Sequence, residues 1–298
     1  MDRPHRPEGT RTPCSPGYSA ATAYTTDPNG QHADAPTADA AAHTPARDAD
    51  HPRTEQRDPV TDIRTDTCST IQLVKHNAHD ADVIWAARVS TIGNRSLDDV
   101  DADPQASAGL INYLMRDRHG SPFEHTSLTF FIETPILVVR EFVRHRVGWS
   151  YNETSGRYRN LDPVFYTPPP ERPLVQVGRP GRYQFEEGTP EQHDLVTRTL
   201  TDTYTHAYNA YRTLLDAGVA REVARAALPV GLYTSMYATC NARSLMHYLS
   251  LRTHDDRAAV PSSPQWEIAR VADQMEAAWA ELMPLTHDAF NRHGRIAP

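Results

Sequence analysis

Cysteine is scarce in this sequence: Cys14, Cys68 and Cys240 are the only three among 298 residues. They form no Cys-x-x-Cys pair, and their odd number does not suit a disulfide framework. Long apolar runs are missing too, because no stretch approaches the roughly 18 residues that a membrane-spanning helix needs, and the N-terminus has no apolar signal core. We therefore expect a protein of the reducing cytoplasm that has no membrane partner.

Positive charge is also in short supply. The sequence has 30 lysine and arginine residues against 38 aspartate and glutamate residues, a net charge of -8, and a pI near 6.0. A protein whose whole surface binds nucleic acid needs a positive field over many phosphates, so the composition argues against that class. A local cationic pocket stays open, and it would consist of arginine because Lys75 is the only lysine.

Residues 1–66 have hardly an aliphatic side chain larger than alanine and consist mainly of Pro, Ala, Thr, Asp, His and Arg. Such a segment buries too little apolar surface to offset the entropy lost on folding. The sequence predicts a disordered N-terminal tail at 1–66 and one folded domain at 67–298, with order beginning near Ser69.

Helical periodicity dominates the folded part, so the predicted fold class is α+β. The clearest helix starts at a Thr189 capping box and ends at Gly218. Repeated Pro and Gly from Leu161 to Gly188 predict a long surface loop. Strands are expected at residues 71–74 and 127–133, and residues 232–240 suit either a strand or the approach to a helix. Further helices are predicted around residues 83–88, from Pro104 until Gly120 closes the segment, from Thr134 as N-cap with Pro135 in the first position, after the N-cap Asn241, and from Ser263-Pro264 onward.

Two arginines flank a histidine in Arg144-His145-Arg146, at the end of a predicted helix, and a polar loop follows. Core packing does not select such a group. A guanidinium holds phosphate or carboxylate through two parallel hydrogen bonds and also stacks on flat rings. With the hydroxyl of Ser155, the backbone of Gly156 and the guanidinium of Arg157, the segment suits a nucleotide monophosphate. A solvated basic face is the alternative interpretation.

Three more arginines, Arg225, Arg243 and Arg252, lie in otherwise apolar helical patterns. An arginine in an apolar setting must find an anion or carbonyl groups. These residues therefore extend the candidate anion site. Alternatively, they form internal salt bridges with Glu222 or Glu267.

Four blocks of this sequence, in order, resemble the flavin-dependent thymidylate synthases. Arg144-His145-Arg146, eight residues and Ser155 resemble the family signature of Arg-His-Arg, seven or eight residues, then Ser. The other blocks are Ala87–Ser90, His119–His125 and Asn241–Arg252, followed by Gln265-Trp266-Glu267. The resemblance covers the chain from about Ser69 to the C-terminus.

The resemblance implies methylation of dUMP at C5 to give dTMP, with 5,10-methylenetetrahydrofolate as carbon donor, reduced FAD as hydride source and NADPH as reductant of the flavin. It also implies a helix-rich catalytic domain with a small, mainly antiparallel sheet, and a homotetramer whose active sites lie between subunits. No metal is implied.

Carried over residue by residue, the resemblance assigns Arg252 to the uracil ring as the catalytic group that favours ionisation at N3. The implied FAD contacts are Ser121, Arg144, His145, Arg146, Glu153, Asn241, Arg243 and His247. The implied dUMP contacts are Glu141, Phe142, Val143, Arg144, Glu153, Thr154, Ser155, Gly156, Arg157, Arg225 and Arg252.

This chain departs from the family pattern after Arg252. A longer segment, Thr253–Ser262, precedes Ser263, which stands where relatives carry a flavin-contacting histidine, and His254 is a candidate substitute. His247 stands where other members have Asn. Cys240 lies in no activating context for a nucleophilic thiolate, so we expect it to be a small buried apolar residue.

Two alternatives from other classes follow from the composition. Fifteen histidines suggest a metal-dependent hydrolase, but His119 and His125 lack the spacing of a helical ligand pair. The second alternative is a non-catalytic nucleotide or RNA-binding module that uses the arginine-rich face with Tyr151 and Tyr158 as stacking residues.

Overall fold

A four-stranded antiparallel sheet carries the main core of the structure, a computed structural model that describes residues 63–93, 104–179 and 182–298. Its strands run in the order β2 (Thr70–Asn77), β3 (Ser127–Pro135), β8 (Tyr233–Cys240) and β4 (Trp149–Glu153). Alternate residues of β3 and β8, such as Phe130 and Ala238, are fully buried. The opposite face carries Phe131 and Tyr237, whose rings lie 5.4 Å apart, and Tyr237 is 51% exposed. One face of the sheet therefore forms the core, and the other is open.

The buried face of the sheet packs against helices. The helices of the described residues are α1 (Asp80–Ile92), α2 (Pro104–Arg116), α3 (Ile136–Phe142), α4 (Pro190–Asp216), α5 (Arg221–Ala224), α6 (Ala242–Arg252), α7 (Trp266–Leu282) and α8 (Pro284–Arg292). Helix α7 contacts β2, α3 and α6, and residues such as Leu245 and Trp279 are fully buried between these elements. The α+β class predicted from periodicity is confirmed, with a helix-rich chain and small, mainly antiparallel sheets.

A second, smaller core lies under the long helix α4. Its tyrosines Tyr204, Tyr208 and Tyr211 pack around Phe165 of β5 (Val164–Tyr166). The predicted Thr189 capping box is present, since Thr189 Oγ1 accepts from the Gln192 backbone and the Gln192 side chain accepts from the Thr189 backbone. The three tyrosines are therefore core residues.

Residues 161–188 differ from the predicted surface loop. They contain β5, which pairs in parallel with β1 (Arg64–Asp66), and a hairpin of β6 (Val175–Arg179) with β7 (Arg182–Glu186). Strand β1 also begins before the expected onset of order near Ser69. Pairing with a strand a hundred residues away stabilises β1, and local composition does not reveal such pairing. The rest of the predicted tail lies outside the described residues.

Three predicted helix boundaries were wrong. Thr134 is a buried strand residue that hydrogen-bonds Ser69, and Pro135 is the N-cap of α3. Helix α2 ends at Arg116, before Gly120. The last predicted helix begins at Trp266 and is followed by a separate α8, because Pro284 starts a new helix.

Candidate active site

Three predicted site residues meet where α6 ends beside α3. The Arg252 Nε donates a hydrogen bond to His145 Nε2 at 3.0 Å, and Arg252 Nη1 forms an ion pair with Glu141 Oε2 at 2.7 Å. Only 17% of the Arg252 side chain is exposed. Two partners on separate elements therefore fix the orientation of one guanidinium.

The loop between α3 and β4 lies against the start of α6. Ser244 Oγ donates to Val147 O at 3.0 Å, while the Asn241 side chain caps the helix by accepting from Ser244 N at 2.8 Å. Gly148 has φ 69°, and a Cβ there would lie 2.1 Å from Ser244 Oγ. A glycine is required because any side chain would push the Arg144–Arg146 segment away from α6.

His145 is neutral in this arrangement. Burial, followed by the nearby charge of Arg252, lowers the pKa of His145 from 6.5 to about 4. Its Nε2 accepts from Arg252, so the ring proton belongs on Nδ1. A neutral acceptor orients the arginine without adding a second positive charge.

Aromatic side chains pack behind this group. The His145 ring contacts the fully buried Tyr248 at 5.0 Å, and Trp149 stacks on Tyr151 at 5.6 Å. The Tyr151 hydroxyl donates to the backbone oxygens of Phe142 and His145 at 2.9 and 3.0 Å, which closes the end of α3. Tyr151 is therefore a packing residue rather than the stacking platform that an RNA-binding module would need.

Three predicted ligand arginines keep their hydrogen-bond donors available. Arg144, Arg146 and Arg225 are exposed, and their side chains make no hydrogen bond or ion pair with the residues that the structure describes. Five N–H donors on each guanidinium then face solvent. Such unpaired arginines suit an anionic ligand.

The loop after β4 is held by hydrogen bonds to β8. Glu153 accepts from Thr234 Oγ1 at 2.8 Å, and Thr154 pairs with Ser235 through both backbone and hydroxyl. Gly156 is buried, and a Cβ there would lie 2.9 Å from Leu161 and 3.2 Å from Arg225, so a glycine lets these two side chains lie against the loop backbone. These contacts present the backbone of 154–156 as a rigid edge.

The predicted salt-bridge alternative named the wrong partners. Glu222 pairs with Arg157 at 2.8 Å, and Glu267 pairs with Arg172 at 2.8 Å. Neither glutamate pairs with Arg225, Arg243 or Arg252. Arg172 was not among the predicted site residues; its Pro-rich surroundings gave no sign that it would be buried with Glu267.

Asn241 and Arg243, two of the residues assigned to FAD, lie at the other end of α6. Arg243 Nη1 contacts Glu124 Oε1 and its Nε donates to Pro298 O, both at 2.5 Å. Gly120 lies beneath, since a Cβ there would be 2.5 Å from Arg243 Nε. Glu124, which lies in the block His119–His125, was not predicted as a site residue. The exposed Ser121 and His247 flank this group on the described surface.

Phe142 and Val143, which were both predicted to contact dUMP, differ in exposure. Phe142 is fully buried and its backbone oxygen accepts from Tyr151, whereas Val143 is 47% exposed. A cavity of about 380 Å³ is lined by Thr154 together with charged residues including Arg159, Asp162 and Glu133. Of the residues predicted for the site, only Thr154 lines it.

Comparison with known proteins decides the family. The family model for thymidylate synthase complementing protein matches residues 72–285. A flavin-dependent thymidylate synthase from Streptomyces coelicolor is 65% identical over 241 residues, which cover 81% of this chain and 97% of that protein. This chain belongs to the flavin-dependent thymidylate synthase family.

Other members of the flavin-dependent thymidylate synthase family agree. One from Tropheryma whipplei is 54% identical over 77% of this chain and 95% of its own length. Among solved structures, the UMP/dUMP methylase PolB from Streptomyces cacaoi, bound with 5-Br dUMP, is 51% identical with a TM-score of 0.75 and covers 79% of this chain and 100% of that one. The family match begins at residue 72, so the predicted tail lies outside it.

Cys240 is not placed to act as a thiolate nucleophile. It is 3% exposed in the core, its thiol is free, and burial raises its pKa. In the described part of the chain, no group of three or more His, Cys, Asp or Glu side chains is placed to hold a metal ion, and none of the helices has the length and apolarity for a bilayer crossing.

Proposed function

We propose that this protein converts dUMP to dTMP by reductive methylation at C5, with a flavin as redox cofactor. The observation that carries the proposal is Arg252, which neutral His145 and Glu141 hold in place, together with arginines that have no partner among the described residues. In the finer proposal, the flavin is FAD, NADPH reduces it, and 5,10-methylenetetrahydrofolate provides the carbon.

The chain's residues fit a flavin dinucleotide at the end of α6. Arg146 and the Nη2 of Arg243 supply guanidinium donors for a diphosphate, and among the described residues the Asn241 amide uses only its Oδ1, as the helix cap, which leaves its Nδ2 donors. Gly120 has no side chain, which lets Arg243 lie directly against its backbone. When bound, the reduced flavin supplies the hydride.

The anionic end of the nucleotide fits the loop after β4. Arg144, Arg157 and Arg225 supply positive charge, and Gly156 lets the Arg225 side chain lie against the loop backbone. Arg157 is paired with the exposed Glu222, a weak surface pair that a doubly charged phosphate can replace. These residues hold the phosphate and thereby orient the whole nucleotide, so that its pyrimidine ring lies away from them.

Arg252 then acts on the pyrimidine ring. Its guanidinium is permanently charged and already held, so it stabilises negative charge developing on N3 without reorganising. His145 remains neutral at pH 7 and keeps Arg252 oriented. The chain's contribution is to bind, orient and polarise the pyrimidine.

We also propose that the protein is a homotetramer with shared sites. Arg243 and Arg252 are nine residues apart on α6, about two and a half turns, so their side chains leave the helix on opposite sides. A site that joins a flavin held at Arg243 to a pyrimidine held at Arg252 is therefore more easily completed across two copies. The open sheet face with Phe131 and Tyr237 offers an apolar surface for such contact.

The test is direct. The purified protein is expected to be yellow, dUMP is expected to change its flavin spectrum, and tritium is expected to be released from 5-tritiated dUMP only with folate and NADPH present. Because the similar solved protein is a UMP/dUMP methylase, UMP is assayed beside dUMP. A colourless protein that releases no tritium after addition of FAD would contradict the proposal.

A further inference from the structure

A buried ionic cluster joins the C-terminal turn to α7. Arg295 is 5% exposed, and its Nη1 and Nη2 donate to Glu276 Oε1 and Oε2, both at 2.7 Å. Arg295 Nη1 also donates to Asn291 Oδ1 at 2.6 Å, and Glu276 receives a further contact from His287 at 2.9 Å. The charge of Arg295 is therefore fully partnered inside the protein.

The same guanidinium reaches the end of α6. Arg295 Nη2 donates to Thr253 Oγ1 at 2.7 Å, and Thr253 is buried. The Thr253 hydroxyl in turn donates to Leu249 O at 2.7 Å, and the Thr253 backbone N–H donates to the same carbonyl at 3.0 Å. Thr253 directly follows Arg252, so Arg295 fixes the residue next to the proposed catalytic group.

The segment 253–262 packs around this connection. Asp255 approaches Arg295 at 3.9 Å, and Ala259 N donates to Gly294 O at 3.0 Å. Ser262 Oγ donates to Leu251 O at 2.7 Å, which returns the segment to the last turn of α6. The segment thus encloses the residues on either side of Arg252.

Burying an arginine costs desolvation free energy, so it adds little net stability to a fold. Desolvation of an ion pair offsets much of its Coulomb attraction, and apolar residues often do as well. Arg295 also has φ 55°, a left-handed conformation that is unfavourable for a residue with a Cβ. An apolar side chain at position 295 could not hydrogen-bond the end of α6, whereas the Arg295 guanidinium does so in a fixed direction.

We propose that Arg295 is a positioning residue that acts through Thr253 to hold Arg252 against His145 and Glu141. This inference rests on the proposed function, because it assumes that Arg252 binds the pyrimidine. A small rotation of the last turn of α6 would move the Arg252 guanidinium away from the ring, and catalysis is sensitive to displacements of that size.

The sharpest test is Thr253→Val in the full-length holoenzyme, because it removes the hydroxyl and leaves the Arg295–Glu276 pair intact. The expected result is dUMP affinity weakened about tenfold, read from the flavin spectrum, and a lower kcat for tritium release, with flavin content unchanged. Thr253→Ser keeps the hydroxyl and is expected to restore affinity relative to Thr253→Val. The matched control is Arg292→Gln, because Arg292 is an exposed arginine on α8 that pairs with Asp288.

The decisive comparison repeats Thr253→Val in an Arg252→Ala background. If Thr253 acts through Arg252, its effect on dUMP affinity shrinks to less than about twofold there, since coupled residues are non-additive. An equal effect in both backgrounds, or unchanged dUMP affinity and kcat in Thr253→Val, overturns the proposal. If the parent protein binds flavin but neither responds to dUMP nor releases tritium, the proposed function itself fails, which is a distinct outcome.

Discussion

Replacing Arg252 with alanine is the perturbation that tests the site most directly. The change removes a guanidinium that is 17% exposed and leaves two groups without their partner, the His145 Nε2 and the Glu141 carboxylate. The 34% exposure of the Glu141 side chain lets water replace part of the lost interaction. We therefore expect a modest stability loss of about 1–2 kcal/mol, at the lower end of the cost for breaking a partly buried pair.

The catalytic effect is expected to be larger. A preorganised donor that stabilises charge in the transition state contributes about 10²- to 10³-fold in kcat, which corresponds to roughly 3–4 kcal/mol. Arg252→Lys keeps the charge but cannot hold His145 and Glu141 with one planar fork, so its loss should be intermediate, about tenfold. The Ala and Lys variants together separate the contribution of charge from that of geometry.

Tritium release from 5-tritiated dUMP measures this loss, with flavin content and thermal unfolding recorded for each variant. Arg292→Ala is the control, because it removes an exposed arginine from an i,i+4 surface pair that contributes only about 0.3–0.5 kcal/mol. If Arg252→Ala retains its flavin and turns over within threefold of the parent, the electrostatic role assigned to Arg252 is refuted.

Three further outcomes follow from the structure. Cys240→Ala is expected to keep tritium release within about threefold, because the buried thiol is not a nucleophile; complete loss of turnover in a folded, flavin-loaded variant would contradict this. Gly120→Ala is expected to lower FAD affinity about tenfold, since the new methyl group meets Arg243 Nε at 2.5 Å, and flavin retention on dialysis measures it. Folding holds the pKa of His145 near 4 against 6.5 when unfolded, so the unfolded chain binds more protons between these values and native stability falls as the pH drops through that window. The His145→Gln variant cannot lose stability in this way. The free energy of unfolding in urea should therefore change between pH 4 and pH 7 by roughly 1–2 kcal/mol less in this variant than in the parent, after allowance for solvent screening. An equal change in the two proteins would show that His145 does not titrate in this way.

Local sequence signals determined much of the fold. The Thr189 capping box and the Asn241 cap of α6 were both predicted, because each depends on residues within one helical turn. The family and the reaction also followed from ordered motifs, since the Arg144–Ser155 signature retains its spacing whatever surrounds it. Short-range geometry can therefore be predicted from the sequence.

Long-range packing decided the remainder. The pairing of β1 with β5 joins segments about a hundred residues apart, and neither has a strong pattern of its own. The sequence predicted that Arg252 is important but not that His145 and Glu141 hold it, or that Arg295 reaches Thr253 from the C-terminal turn. A guanidinium has several donors and a long flexible stem, so its partners depend on which anions and carbonyls the folded chain brings within about 3 Å. Only the tertiary structure sets those distances.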